Sequence, residues 1–89
     1  MLEAQQPTGD ALVAHLTAIW SSVLETGDID ATTDFVDMGG TSLTAMAIRG
    51  RIRSELAWDA DILDIIDHPT PQALAAVLPE SEPWSEEEQ

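Results

Sequence analysis

Residues 37–46 read DMGGTSLTAM, in which two glycines and two hydroxyl residues stand directly before a segment with apolar residues at helical spacing. Small residues beside threonine and serine are typical of a turn that leads into a helix. The apolar pattern runs from Ser42 to about Leu56 and predicts a helix roughly 22 Å long. Ser42 therefore stands at a helix start, and three roles are open for its hydroxyl: helix cap, nucleophile or point of covalent attachment.

The predicted second helix carries two apolar stripes. One stripe suits the core and contains Ala45, Ile48, Ile52 and Leu56. The other lies near the amino end, on a different face, and contains Leu43, Met46 and Ala47. A helix with two apolar faces requires two partners, and only one of them has to be intramolecular. The second stripe is therefore either additional core or a contact surface for another protein.

The chain before this helix predicts another helix and a long loop. Residues 9–26 repeat apolar residues at helical spacing, and Gly27 is a natural helix stop. Residues 27–41 keep no sustained period, which predicts a loop between helices 1 and 2. The apolar residues expected to anchor this loop on the core are Ile29, Phe35, Val36 and Met38.

Two further helices are predicted near the end of the chain. Asp61 suits the cap of a short third helix, while Thr70 and Pro71 suit the start of a fourth that Pro79 closes. The isoleucines expected to face the core from the third helix are Ile62, Ile65 and Ile66. The expected fold is an all-α, four-helix bundle with three longer helices, one short helix and the long loop.

Length and composition predict one domain, with a flexible leader at residues 1–8, a folded part at 9–79 and an acidic, disordered tail at 80–89. The chain has 17 acidic residues against 3 basic ones, a net charge of −14. Such a surface repels nucleic acids and anionic membranes and favours basic partners. There is no signal-peptide pattern and no apolar run near the ~20 residues that span a bilayer, so we expect a cytoplasmic monomer.

The absence of several sequence features reduces the number of chemical roles that the Ser42 hydroxyl could have. The chain has no cysteine, which excludes a disulfide framework, a thiolate zinc site and a thiol nucleophile. A hydrolase built from Ser42 with His15 or His68 is disfavoured. The G-x-S-x-G pattern fails at Thr44, and no strand precedes it. The acidic loop after Asp28 lacks the EF-hand glycine and glutamate, and the absence of lysine excludes a P-loop.

A covalently attached phosphate fits the position of Ser42 better than a nucleophile does. Such a phosphate would meet the free N–H groups and the positive end of the second helix. All three basic residues lie on this same helix, at Arg49, Arg51 and Arg53. They are either a solvated face or a docking surface for an acidic partner. We expect neither metal binding nor catalysis by this chain itself.

Nearly the whole domain, from about residue 10 to 79, resembles a known family. DFVDMGGTSLTAMAIRGRIRSEL resembles the loop and second helix of peptidyl carrier (thiolation) domains of nonribosomal peptide synthetases. ILDIIDHPTPQALAAVL resembles their third and fourth helices. The resemblance implies that Ser42 carries 4′-phosphopantetheine, which a phosphopantetheinyl transferase installs from coenzyme A with Mg²⁺. The thiol of this arm would hold an amino or carboxylic acid as a thioester.

The resemblance also implies roles for neighbouring residues. Those expected at the cofactor are Asp37, Gly39, Gly40 and Thr41. Those expected to contact partner enzymes are Met38, Leu43, Met46, Ala47, Arg49 and Arg53. Thr41 stands where peptidyl carriers usually have histidine or aspartate, and Ala57 stands where glycine is common.

The implied partners are the transferase, an adenylating enzyme that loads the cargo, and condensation, tailoring or thioesterase enzymes. The setting would be nonribosomal peptide or related antibiotic biosynthesis, with the cargo undefined. Polyketide-type and D-alanyl acyl carriers are alternatives within the class. An acidic helical interaction module, with Ser42 as a helix cap, is the alternative from another class.

Overall fold

Four α-helices carry the structure, a computed structural model that describes residues 6–85. The helices are α1 (Gly9–Leu24), α2 (Ser42–Leu56), α3 (Ile62–Asp67) and α4 (Pro71–Val77), and two short strands are β1 (Trp58–Asp59) and β2 (Glu82–Pro83). The four-helix, all-α prediction is confirmed. α4 has seven residues and is nearly as short as α3, because residues 78–80 around Pro79 tighten into a 3₁₀ turn.

The core lies between α1 and the helices that pack against it, α2 and α4. The buried residues of α1 are Leu12, Leu16, Ile19 and Trp20, which share one face of the helix. The buried residues of α2 are Ala45, Ile48, Ile52 and Leu56, as the first apolar stripe predicts. Among the residues the structure describes, no polar or charged side chain is buried.

The loop between α1 and α2 begins earlier than expected. Glu25, and not Gly27, takes the left-handed conformation that stops α1, with φ of 59°. The carbonyl of Ser21 accepts the N–H groups of Glu25 and Thr26, and the Ser21 hydroxyl donates to the Thr26 carbonyl. The helix therefore ends at Glu25 without a glycine, and the prediction of Gly27 as the stop is wrong.

Two of the four predicted anchors hold this loop on the core. Phe35 is fully buried and Ile29 packs against the core, whereas Val36 and Met38 are 52% and 43% exposed. The amide of Gln72 also donates to the carbonyl of Ala31, which ties the loop to the start of α4. The prediction is therefore wrong for Val36 and Met38, whose side chains face solvent.

The two short helices begin with the predicted caps. Asp61 accepts the N–H of Leu63 at the start of α3, and Thr70 accepts the N–H of Ala73 at the start of α4. Of the isoleucines of α3, Ile65 is buried and Ile62 is partly buried. Ile66 is 40% exposed, so its predicted place in the core is wrong. A six-residue helix that packs on one side has room for few core positions.

Residues 81–85, which we call the C-terminal strap, lie across the end of α2. β2 pairs antiparallel with β1, and the Trp84 amide donates to the Ala57 carbonyl. From the other end of the chain, the Gln6 side chain donates to the carbonyls of Leu56 and Ala57. The ordered strap differs from the disordered tail expected from residue 80. Residues 1–5 and 86–89 of the predicted leader and tail lie outside the described residues.

Within residues 6–85, no helix is both long enough and apolar enough to cross a membrane.

Candidate functional site

Ser42 is the first residue of α2 and is exposed, but it does not cap the helix. The cap is Thr41, whose hydroxyl accepts the N–H of Leu43 at 3.2 Å. In return, the hydroxyl of Thr44 accepts the N–H of Thr41 at 3.0 Å, which completes a capping box. The Ser42 hydroxyl makes no hydrogen bond to another described residue. The helix-cap interpretation of Ser42 is therefore wrong.

The start of α2 suits an anionic group on Ser42, but the helix dipole contributes more to this than the free N–H groups that were expected. The capping box already binds the N–H groups of Thr41 and Leu43, so fewer are free than predicted. The positive end of the helix dipole remains, and the first turn contains no acidic side chain. A phosphodiester on the Ser42 hydroxyl would extend into solvent without displacing an intramolecular bond.

The two glycines before this helix have separate structural reasons. Gly39 has φ of 91°, a conformation that L side chains rarely adopt. The Gly40 amide donates to the Phe35 carbonyl at 2.8 Å, and a Cβ on Gly40 would lie 2.6 Å from that oxygen. Glycine is therefore required at position 40 because the backbone packs closely on Phe35, and at position 39 because φ is positive.

Exposed apolar side chains flank Ser42 on both sides in the chain. Leu43 is 75% exposed and Met46 is 56% exposed, so the second stripe of α2 is surface and not additional core. Met38, on the preceding loop, is also exposed, as is Ala47. α3, which packs against α2, also exposes two apolar side chains, Leu63 and Ile66, and neither was predicted to contact a partner. Ile66 was predicted to face the core, and no position was predicted for Leu63.

The three arginines separate onto two flanks of α2. Arg49 and Arg53 both reach Asp59, at 3.6 and 2.7 Å, and Arg49 also donates to the Ala60 carbonyl. Arg51 points the other way and bonds to Glu55 and to Ser22 of α1. Each guanidinium is thus engaged within the chain, beyond the first turn of α2, and the structure does not bring Arg49 or Arg53 to Ser42.

The remaining candidate residues do not assemble a catalytic or metal site. Asp37 is exposed beside the glycines, and its side chain forms no hydrogen bond to another described residue. His15 pairs with Glu55 at 2.8 Å, while His68 ends α3 and gives its backbone N–H to Asp64. In the part of the chain that the structure describes, no three metal-ligating side chains lie together. Among residues 6–85, no histidine or carboxylate side chain forms a hydrogen bond with the Ser42 hydroxyl.

A protein-family model matches residues 14–78, and its description is "Phosphopantetheine attachment site". A plipastatin synthase subunit of Bacillus subtilis (strain 168) is 37% identical over 65 residues, which cover 73% of this chain and 2% of that protein. Tyrocidine synthase 3 of Brevibacillus parabrevis is 35% identical over 68 residues, 76% of this chain and 1% of that protein. The chain thus spans only a small part of the length of these relatives.

Solved structures with the same fold include a chain described as a "Non Ribosomal PCP domain". It is 27% identical, with a TM-score of 0.71 over 91% of this chain and 100% of that chain. A chain from the complex of the phosphopantetheine transferase Sfp with coenzyme A and a peptidyl carrier protein is 28% identical. Its TM-score is 0.73, over 86% of this chain and 99% of that chain.

Proposed function

The chain belongs to the phosphopantetheine attachment site family, and we propose that it is a peptidyl carrier domain that bears its phosphopantetheine arm on Ser42. The observation that carries the proposal is the exposed Ser42 hydroxyl, which is left free because Thr41 caps the helix. The family's cofactor, 4′-phosphopantetheine, supplies the thiol that this cysteine-free chain lacks.

The attachment reaction needs little from this chain beyond presentation of the hydroxyl. A bond forms between Ser42 Oγ and the phosphorus of the pantetheine phosphate, while the phosphoanhydride bond of coenzyme A breaks. The adenosine bisphosphate half leaves, and the hydroxyl proton passes to a base. No described histidine or carboxylate accepts a hydrogen bond from Ser42, so the base belongs to the transferase. The proposal therefore assigns catalysis to the partner and gives this chain the role of a carrier.

The exposed apolar side chains around Ser42 are suited to contact with partner enzymes. Met38, Leu43 and Met46 present unpaired apolar surface next to the attachment point, with Leu63 and Ile66 on the neighbouring helix. Burial of such side chains is the main favourable contribution at a protein interface. We assign them to the transferase, to an adenylating enzyme that loads the cargo, and to the condensation, tailoring or thioesterase enzymes that act on it in peptide biosynthesis.

Intact mass spectrometry tests the proposal directly. Incubation with coenzyme A, Mg²⁺ and a broad-specificity phosphopantetheinyl transferase is expected to add a single phosphopantetheine to the native chain and none to Ser42→Ala. Ser54→Ala, which removes another exposed serine hydroxyl of α2, is the matched control and should be modified like the native chain. A folded native chain that two different transferases leave unmodified, or modification of Ser42→Ala, would rule the proposal out.

A further inference from the structure

Trp20 lies in the middle of the core and connects it to the loop that ends at Ser42. The side chain is fully buried on α1, and its indole N–H donates to the Pro69 carbonyl at 3.0 Å. Buried indole N–H groups need such a partner, since an unsatisfied donor in an apolar core is costly. Here the partner lies in the turn between α3 and α4, far from α1 in the sequence.

The Pro69 carbonyl is shared between two donors. Besides the indole of Trp20, it accepts the backbone N–H of Phe35 at 3.2 Å. A carbonyl oxygen has two lone pairs, so both bonds form at once. One oxygen atom thus holds together α1, the α3–α4 turn and the loop before α2.

Phe35 transmits this constraint to the glycines. Its ring packs edge-on against Trp20, with centroids 6.1 Å apart and planes at 79°. Its carbonyl accepts the Gly40 N–H, and Gly40 is packed so closely that a Cβ would reach 2.6 Å from the oxygen. Because Gly40 is packed so closely on Phe35, a shift of Phe35 also shifts Gly40. Ser42 lies only two residues after Gly40, so its position depends on the same contact.

We propose that Trp20 is a positioning residue for Ser42, acting through Pro69, Phe35 and Gly40. Its indole N–H fixes the Pro69 carbonyl, which in turn fixes the loop that presents the hydroxyl. Without the N–H, the carbonyl keeps only the Phe35 donor, and the loop gains freedom to shift relative to α1. The effect on phosphopantetheine transfer rests on the function proposed above, whereas the effect on the loop does not.

Trp20→Phe removes the indole N–H and keeps an aromatic ring in the core. The matched control is Trp58→Phe, at a residue only 5% exposed beyond the other end of α2, whose indole makes no hydrogen bond to a described residue. Both variants lose similar bulk, so both should lower thermal stability. Rates are compared at a temperature where circular dichroism shows both variants folded.

The transfer rate separates positioning from general packing. Trp20→Phe is expected to lower kcat/KM for phosphopantetheine transfer roughly three- to tenfold, the order expected for one lost hydrogen bond. Trp58→Phe should leave that rate close to the native value. A chemically synthesised chain with 3-benzothienylalanine at position 20 keeps the indole shape without the N–H, and it should show the same slow transfer.

Hydrogen exchange of the Gly40 amide is the second readout and needs no transferase. This amide donates to Phe35, so its exchange should accelerate in Trp20→Phe and in the benzothienyl chain but not in Trp58→Phe. Unchanged Gly40 exchange with native transfer rates, or equal effects of both tryptophan variants, would overturn the proposal. If the native chain is not modified at all, the function proposed for Ser42 fails while the exchange experiment still decides the role of Trp20.

Discussion

Thr41 and Ser42 are adjacent hydroxyl residues with different tasks. Thr41 accepts a backbone N–H and is in turn bonded through its own amide to Thr44, so its side chain is committed to the helix start. Ser42, one residue further, has helical backbone angles and projects its hydroxyl to solvent. Because the cap is supplied by its neighbour, Ser42 can be modified without loss of a bond that stabilises α2.

Gly40 and Gly50 make a matched pair for a test at the residue scale. Gly40→Ala places a Cβ against the backbone oxygen of Phe35, and we expect it to destabilise the protein by about 1–3 kcal/mol. Gly50 lies inside α2 with open space around its Cα, so Gly50→Ala should stabilise by about 0.5–1 kcal/mol. Urea denaturation of both variants measures the two free energies of unfolding.

A destabilising Gly40→Ala beside a stabilising Gly50→Ala would show that glycine is needed at position 40 for close packing on Phe35. A Gly40→Ala variant as stable as the native chain would contradict the close contact. In that case the small size of Gly40 would matter only for access of a partner to Ser42.

At the scale of elements, α2 shows how much the sequence predicts and where it stops. Its start at Ser42 and its core stripe followed from the turn residues and the helical period. The arginines look like one cluster in the sequence, although residues two apart on a helix are about 200° apart around its axis. That geometry sends Arg51 towards α1 and Arg53 towards Asp59. The Arg51–Glu55 pair has the i, i+4 spacing that brings side chains together on a helix, so the sequence could have indicated it. The pairing of Arg49 and Arg53 with Asp59 depends instead on how the chain folds back after α2.

The contact between α1 and α2 through Glu55 predicts a pH dependence. Burial alone raises the pKa of Glu55, but hydrogen bonds and charges from Arg51 and His15 outweigh it, so the pKa lies below its ordinary value of 4.5. A carboxyl with a depressed pKa contributes stability that is fully present above the ordinary value. That contribution is lost as the pH falls through the lowered pKa of the folded state.

Glu55→Gln tests this contact between the helices. The side chain is about a third exposed, so after solvent screening we expect a loss of only about 0.5 kcal/mol at pH 7. The difference in free energy of unfolding between the native chain and the variant should disappear as the pH falls below 4.5. Asp28→Asn, at an exposed acid whose side chain has no described hydrogen-bond partner, is the control. A gap that persists unchanged into strong acid would refute the ionic origin of the effect.

At the scale of the whole molecule, the two ends of α2 are unlike. The amino end presents Ser42 among exposed apolar side chains, and the carboxyl end is covered by the C-terminal strap and by Gln6. The arginines form pairs within the chain, which has a net charge of −14. These pairs favour a structural role for Arg49 and Arg53 over the steering of acidic partners. We therefore propose that partners recognise the surface near Ser42 through apolar contact more than through positive charge.

The strap is the part of the architecture that the sequence predicted least well. An acidic, proline-containing segment has the composition of a disordered tail, and a strand of two residues has no period to detect. Its order comes from partners distant in the chain: Trp58 and Asp59 for the strand, the Ala57 carbonyl for the Trp84 amide, and Arg53 for the indole. Such long-range contacts appear only once the fold brings them together.

A double-mutant cycle on Arg53 and Trp84 measures how firmly the strap closes the molecule. The Arg53 guanidinium lies 3.9 Å from the centre of the Trp84 ring, an arrangement worth about 0.5–1 kcal/mol at a partly exposed site. Arg53→Gln also loses its bonds to Asp59, so the single variants are not informative alone. The coupling obtained with Trp84→Ala and the double variant isolates the stacked pair.

We expect a coupling energy of about 0.5–1 kcal/mol by urea denaturation. Phosphopantetheine transfer to Ser42 should be unchanged, because the strap lies at the opposite end of α2. A coupling near zero would mean that backbone pairing with β1 alone holds the strap, and slower transfer would mean that the two ends of α2 are not independent.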